Sequence, residues 1–332
     1  VKAQVGGRRA LEFLNLPGNA RTSALGGINV SSFDNDINMF LSNPALLHPS
    51  THKHISLSHY LFLADITLST LTYGHNFGKA GVFAAGLQYL NYGSFDGYDD
   101  TGLEEGEFGA SDYAITLSNS RVTGNFIFGG SMKFANSNIA FYNASALLFD
   151  IGGIFRHPER DITLGMAIKN LGFGLSDYAQ GSDISLPFDV QMGITFKPQF
   201  IPFRFSVTAY NLYPYRVNYQ IPGRGGINNE EPGRVDKLMR HITIGTELLL
   251  SKNVNIRAGY NHLIKQELKM EEVSGGAGLA FGILIRVKAF EIAYSKAFYH
   301  VSGGTDYITV TSNLGAFFKN KNKLNEQNDP GK

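Results

Sequence analysis

The chain of 332 residues contains 38 Gly, 25 Phe and 16 Tyr but no Trp or Cys, with 17% charged residues and a mean hydropathy of −0.10. Its 29 basic and 28 acidic residues leave a net charge of +1, so no global field recruits nucleic acid, and the lack of Cys excludes disulfides, thiolate metal sites and Cys nucleophiles. The densest apolar patch, GLAFGILI at 278–285, falls far short of the roughly eighteen residues of a membrane helix; a barrel strand crosses in about ten, with only alternate side chains apolar.

Val1, Lys2 and Ala3 read as the remnant of a small-residue cleavage site. Residues 7–53 alternate little and carry turn and helix signals instead: Pro17, Gly18, Gly26, Gly27, Pro44 and Pro49 around a short apolar stretch from Ile37 to Leu47. They are expected to form a compact hatch in the mouth or lumen of a barrel, so that residues 1–53 make an N-terminal plug.

From residue 54 the apolar residues recur with period two in segments of about ten. In the clearest, Phe188, Val190, Met192, Ile194 and Phe196 alternate with Asp189, Gln191, Gly193, Thr195 and Lys197. The same split recurs with Val254, Ile256, Ala258 and Tyr260 against Asn255, Arg257, Gly259 and Asn261. Strands are expected at 54–63, 65–76, 80–92, 108–120, 123–136, 142–155, 160–171, 186–197, 202–213, 239–251, 253–262, 275–288, 289–300 and 304–317, the third and sixth alternating poorly. The reading is a 14-stranded antiparallel outer-membrane β-barrel over 54–318. The tail 319–332, KNKNKLNEQNDPGK, reads as a disordered periplasmic end.

Connection lengths support this independently. The turns after even-numbered strands are all tight, whereas those after the third, seventh, ninth and eleventh are long, and among outer loops only the one near Ala64 breaks the pattern. Soluble sandwiches or propellers give no reason for such sorting. The long loops are thus expected outside the cell, with both termini periplasmic.

Fourteen strands enclose a lumen too wide for wall side chains to fill, which gives the plug its place. Lumen-facing Lys133, Lys169, Lys197, Arg204 and Arg257, with Asp112, Asp189, Glu247 and Glu291, can hydrogen-bond the plug or pair across the lumen.

The run NARTSALGGINVSSFDND at 19–36, followed by FLSNPALL with its Asn43, Pro44, Ala45 turn, resembles the N-terminal pattern of FadL-type fourteen-stranded barrels. Within that group, GGRRALEFLNLPGNARTSALGG, LSNPALLHP and IPFRFSVTAYNL resemble the PorQ-type barrels of the type IX secretion system, over about Gly7 to Phe318. The resemblance implies a non-enzymatic component of the surface attachment complex, beside PorU and PorV. Such barrels anchor PorZ, a surface protein that binds anionic lipopolysaccharide, so contact with that lipid would be indirect. The other reading is a FadL-like transporter of hydrophobic small molecules.

Candidate partner-binding residues lie in two loops. Tyr98, Asp99 and Asp100 belong to an acidic run with Asp96, Glu104, Glu105 and Glu107, which could also hold a divalent cation but lacks EF-hand spacing. Tyr213, Tyr215, Arg216, Tyr219, Arg224 and Arg234 are of residue types that dominate interfaces, although Tyr213 and Tyr215 also suit an aromatic girdle. His52, His54 and His59 lie near the first strand, and His52 and His54 would share a face as metal ligands could, but no third ligand joins them at persuasive spacing; His300, Ser302 and Asp306 are a triad only on paper. The GGAGLAFG run at 275–282 enters an alternating strand rather than a helix, so its glycines are expected to relieve crowding against the plug. No cofactor or metal is expected.

Overall fold

The computed structural model describes residues 10–62, 65–98, 101–178, 185–213, 233–267, 276–300 and 303–316. Among them fourteen strands run in chain order: β1 (His54–Leu61), β2 (Thr67–Asn76), β3 (Val82–Tyr98), β4 (Glu104–Thr123), β5 (Phe126–Ile139), β6 (Tyr142–Arg156) and β7 (Ile162–Ser176), then β8 (Asp189–Phe196), β9 (Phe203–Ala209), β10 (Ile242–Leu249), β11 (Val254–Asn261), β12 (Leu279–Val287), β13 (Phe290–His300) and β14 (Gly303–Asn313). Each pairs antiparallel with its sequence neighbours, and β1 closes on β14 from His54 opposite Asn313 to Leu61 opposite Asp306. Closure leaves no sheet edge along the wall, which matters because an unpaired amide in hydrocarbon costs several kcal/mol. No described helix is long and apolar enough to cross a membrane.

The period-two pattern sorts side chains as expected. On β11, Ile256 is 41% exposed outward while Arg257 is 3% exposed inside; on β8, Met192 is 51% exposed and Gln191 6%. Poor alternation in the third strand has a physical cause. Its inward residues Val82, Ala84 and Leu90 are buried and apolar, because they pack on the N-terminal segment and not on water. The same holds for Ala146 and Leu148 on β6.

Connections at one end of the barrel, the turn end, are all tight. Between β2 and β3 the Phe77 amide donates to the Gly81 carbonyl at 3.0 Å, and Gly124, at φ 59°, turns β4 into β5. At the opposite loop end the expected lengths need correction. Most of 93–108 is not loop but strand: β3 and β4 are 17 and 20 residues long. The connections after β5 and β13 are also short, because β5 runs on to Ile139 and β13 to His300. Two short helices, α2 (Arg234–Met239) and α3 (His262–Glu267), stand beside β10 and β11. The wall is therefore uneven: β3 to β7 have 14 to 20 residues, β8 to β12 only 7 to 9.

Candidate functional site: the N-terminal segment and the loop-end rim

Residues 10–48 pack against inward side chains of the wall strands. A five-residue helix, α1 (Ala20–Ala24), is capped by Asn19, whose side chain accepts from the Thr22 amide at 2.8 Å. Gly26 and Gly27, at φ 91° and 95°, then reverse the chain, and the Gly27 amide donates to the Thr22 carbonyl at 2.9 Å. Asn43, fully buried, holds the Asn-Pro-Ala turn: its side-chain oxygen accepts from the Ala45 amide at 3.0 Å, and its amide nitrogen donates to Val30 O at 2.9 Å and Met166 O at 3.3 Å. Pro44, with its fixed φ, suits the first position of the short helical turn that follows.

The wall meets this segment with glycines. Gly129 and Gly152 are register partners on β5 and β6, Gly165 and Gly193 on β7 and β8, Gly245 and Gly259 on β10 and β11. A Cβ on Gly129 would strike the Pro44 carbonyl group, on Gly152 the Asn43 side chain, and on Gly165 the Val30 carbonyl. At Gly193, Gly245 and Gly259 it would strike Ser31, Leu25 and the Gly26 amide. Three pairs on different sides of the barrel thus let the segment approach to backbone distance, and only glycine permits that. Gly282, within the GGAGLAFG run, likewise faces Ala24.

Charge fastens one side. Arg21 of α1 pairs with Asp34 and with Glu247 of β10 at 3.0 Å, and stands 3.8 Å from Asp36. Arg204 of β9 bridges Asp34 at 3.0 Å and Glu247 at 2.9 Å, and Arg257 reaches Glu247 at 3.0 Å. Burial alone would raise the Asp34 carboxyl, but the Arg21 and Arg204 guanidiniums hold it well below the usual carboxylate range. Asp36 moves the other way, pushed up by burial.

On the far wall Lys133 pairs with Asp150 at 2.6 Å and donates to Asn170 at 3.0 Å, and Lys169 donates to Leu41 O at 2.7 Å. Asn170, at φ 56°, sits where the β6 and β7 register shifts. Of the inward charges expected from the sequence, Arg204, Glu247 and Lys169 touch the segment. Lys133 and Arg257 pair with the wall, as do Asp112 through Tyr92, Asp189 through Gln191 and Glu291 through Arg286.

Apolar contacts complete the seat. Ile37, Phe40, Leu41 and Leu47 pack on Val82 and Ala84, while Met39, Ala45 and Leu46 pack on Ile127 and Ile154. Toward the loop end a larger cluster joins Leu11, Phe13 and Leu14 to Tyr60, Leu68, Leu90, Leu148 and Tyr307, with Tyr60 and Tyr307 stacked at 3.9 Å between centroids. Fully burying one such side chain contributes about 1.5–3 kcal/mol at the upper bound.

At the loop-end rim, Tyr98 is exposed at the end of β3, Tyr213 is exposed with its ring edge-on to Phe188, and Arg234 is exposed at the start of α2. Asp99, Asp100, Tyr215, Arg216, Tyr219 and Arg224 lie outside the described residues, as does Ser302. Sequence reasoning did not single out Asp236, which takes Arg240 at 2.7 Å and His262 at 2.8 Å and so ties α2 to α3. Burial would raise the Asp236 carboxyl; His262 and Arg240 lower it. No three metal-ligating side chains cluster among the described residues, and His54 and His59 face opposite sides of β1.

No family model and no curated protein matches the chain. Solved structures do. The toluene transporter TbuX of Ralstonia pickettii aligns at TM-score 0.53 and 12% identity, over 90% of this chain and 97% of that one. A deltaS2 mutant of the TodX monoaromatic hydrocarbon channel gives 0.51 and 13%, over 90% and 98%. A Pseudomonas aeruginosa FadL homologue gives 0.51 and 11%, over 89% and 98%. At these identities the likeness is one of fold: the chain is a closed fourteen-stranded antiparallel barrel with the architecture of FadL-type outer-membrane proteins.

Proposed function

We propose that this chain is a sealed outer-membrane barrel that serves as a docking platform: a non-enzymatic, PorQ-type component of the type IX attachment complex, with its loop end outward. In this role residues 10–53 are the plug, and the rim holds a surface protein of the PorZ kind, with PorU and PorV in the same complex. The observation that carries the reading is the seating of the segment, backbone against paired wall glycines on several sides and charge-locked through Arg21. A lumen filled this way leaves the rim as the working surface. The sequence resemblance supplies the partner.

A second reading, a FadL-like transporter of hydrophobic small molecules, draws on the apolar cluster around Tyr60 and Tyr307 and on the fold shared with the toluene transporter. One experiment separates them: tagged barrel is recovered from detergent-solubilised membranes and probed for PorZ, while whole cells are assayed for uptake of a labelled aromatic hydrocarbon. Docking predicts co-recovery without uptake dependent on the barrel. Uptake without co-recovery overturns it.

A further inference from the structure

Every tight connection at the turn end carries a cation in or beside it. Lys79 lies between β2 and β3, Arg121 near the close of β4, Arg160 between β6 and β7, Lys197 after β8, Lys252 between β10 and β11, and Lys288 between β12 and β13. All but Lys197 are exposed, and among the described residues none of the six has an ion-pair partner. The acids of these turns are Glu159 and Asp161, both between β6 and β7.

Next to these cations the outward register is aromatic. Phe77 and Phe83 flank Lys79, with ring centroids 5.4 Å apart, and Phe126 packs on Phe155 at 5.1 Å. Arg121 shares the outward face of β4 with Ile115 and Leu117, and its register partner on β5 is the exposed Phe128. Phe196, which precedes Lys197, stacks on Phe205 at 5.3 Å, and Phe290 follows Lys288 by two residues. Phe200, in the turn between β8 and β9, is 92% exposed. A band of aromatic side chains marks the boundary of the apolar belt on a membrane barrel, so cations beside and beyond it stand at headgroup level.

Charge selects what meets them. Cations set around one rim repel each other, and a layer of phosphates relieves that repulsion while attracting each Lys or Arg near its surface. The short turns of outer-membrane barrels face the periplasm, where the lipid is glycerophospholipid and not lipopolysaccharide. The loop end lacks this uniformity: exposed Asp96, Glu104 and Glu107 stand there with exposed Arg234 and Lys265.

We propose that the turn-end ring of Lys79, Arg121, Arg160, Lys252 and Lys288 binds the phosphates of anionic phospholipid, of the phosphatidylglycerol kind, while the adjoining Phe band seats in the acyl boundary beneath them. The ring then fixes the depth of the barrel in the periplasmic leaflet. The inference rests on the reading of the chain as an inserted barrel with its loop end outward, and it is independent of which protein the rim docks.

The test is native mass spectrometry of the full-length barrel in detergent, with phosphatidylglycerol, zwitterionic phosphatidylethanolamine and lipid A added in turn. The wild type is compared with Lys79→Gln/Arg121→Gln/Lys252→Gln/Lys288→Gln, with the charge-keeping Lys79→Arg/Arg121→Lys/Lys252→Arg/Lys288→Arg, and with an Arg234→Gln/Lys265→Gln control at the loop end. Heat-modifiable migration verifies each barrel, and Lys252→Gln/Lys288→Gln carries the test if the quadruple Gln variant does not fold. The wild type is expected to hold phosphatidylglycerol at least tenfold more tightly than phosphatidylethanolamine, and added salt to weaken that preference. The quadruple Gln variant should lose the preference and the double variant at least threefold of it, while the charge-keeping variant and the control stay within twofold of the wild type. An unchanged preference in the folded Gln variants, or a loss in the control alone, overturns the proposal while docking stands. A wild type that favours lipid A over phosphatidylglycerol overturns it, and so does one that binds the two phospholipids alike, which would leave the ring to an acidic protein. A wild type that stays soluble and monodisperse without detergent removes the membrane reading and the proposal together.

Discussion

Gly152 and Gly153 are neighbours on β6 that face opposite ways, and they make a controlled pair. A methyl on Gly152 would run into the Asn43 side-chain oxygen, with the Ala45 amide nitrogen and the Pro44 ring each 3.0 Å away; a methyl on Gly153 meets nothing within 4 Å. Overpacking of this kind costs about 1–3 kcal/mol, and the contacted atoms here are backbone or a side chain already engaged in three hydrogen bonds, so little can yield. Gly152→Ala should therefore raise the open population of the Asn43 turn by roughly 5- to 150-fold, and Gly153→Ala should leave it unchanged. The assay is hydrogen exchange at the Leu46 and Leu47 amides, which donate to Asn43 O at 2.9 Å and Pro44 O at 3.3 Å, in the intact chain in detergent. Equal protection in the two variants would refute the claim that the wall glycines seat the segment.

Further outcomes follow from the same geometry. Arg21→Met removes one cation from Glu247, Asp34 and Asp36 while Arg204 still bridges the first two, so it should loosen the segment by less than the about 3–5 kcal/mol of a wholly unpaired buried charge, read as faster exchange over residues 20–41 with the barrel still heat-modifiable. The Asp34 carboxyl is depressed in the folded chain, so its stabilisation is complete above the ordinary carboxylate range and is lost as pH falls below about 4. Asp36 is raised and contributes with the opposite sign, so Asp34→Asn should lessen the loosening seen in acid, as measured by exchange between pH 7 and 3. Ile292→Arg places a charge on the lipid face and should lower barrel stability by up to about 2–4 kcal/mol at the bilayer midplane, measured by folding into vesicles.

Much of the fold was legible because lipid imposes a strict period. Met192 and Ile256 must be apolar and their neighbours need not be, so strand number and the two faces could be read directly. Where the wall packs on protein the signal fades: Val82, Ala84 and Leu90 are inward yet apolar because Phe40, Leu41 and residues 10–16 cover that wall. The stretch 93–108 reads as a loop because Gly and Asp disfavour strands, but pairing between β3 and β4 outweighs that local preference. In the candidate site, the Asn43 turn and the Gly26–Gly27 reversal carry local signatures in the sequence. The contact of Arg21 with Glu247 joins residues 226 apart, and the opposition of Gly165 and Gly193 exists only in the register. Neither leaves a trace in a single sequence of 38 glycines.

The central claim is that residues 10–53 close the bore of an inserted barrel. Single-channel recording in planar bilayers tests it most directly, comparing the intact chain with Gly152→Val/Gly165→Val, which crowds the seat on adjoining strands. The intact chain should stay closed to ions and the variant should open intermittently; steady conductance of porin size from the intact chain would contradict the account.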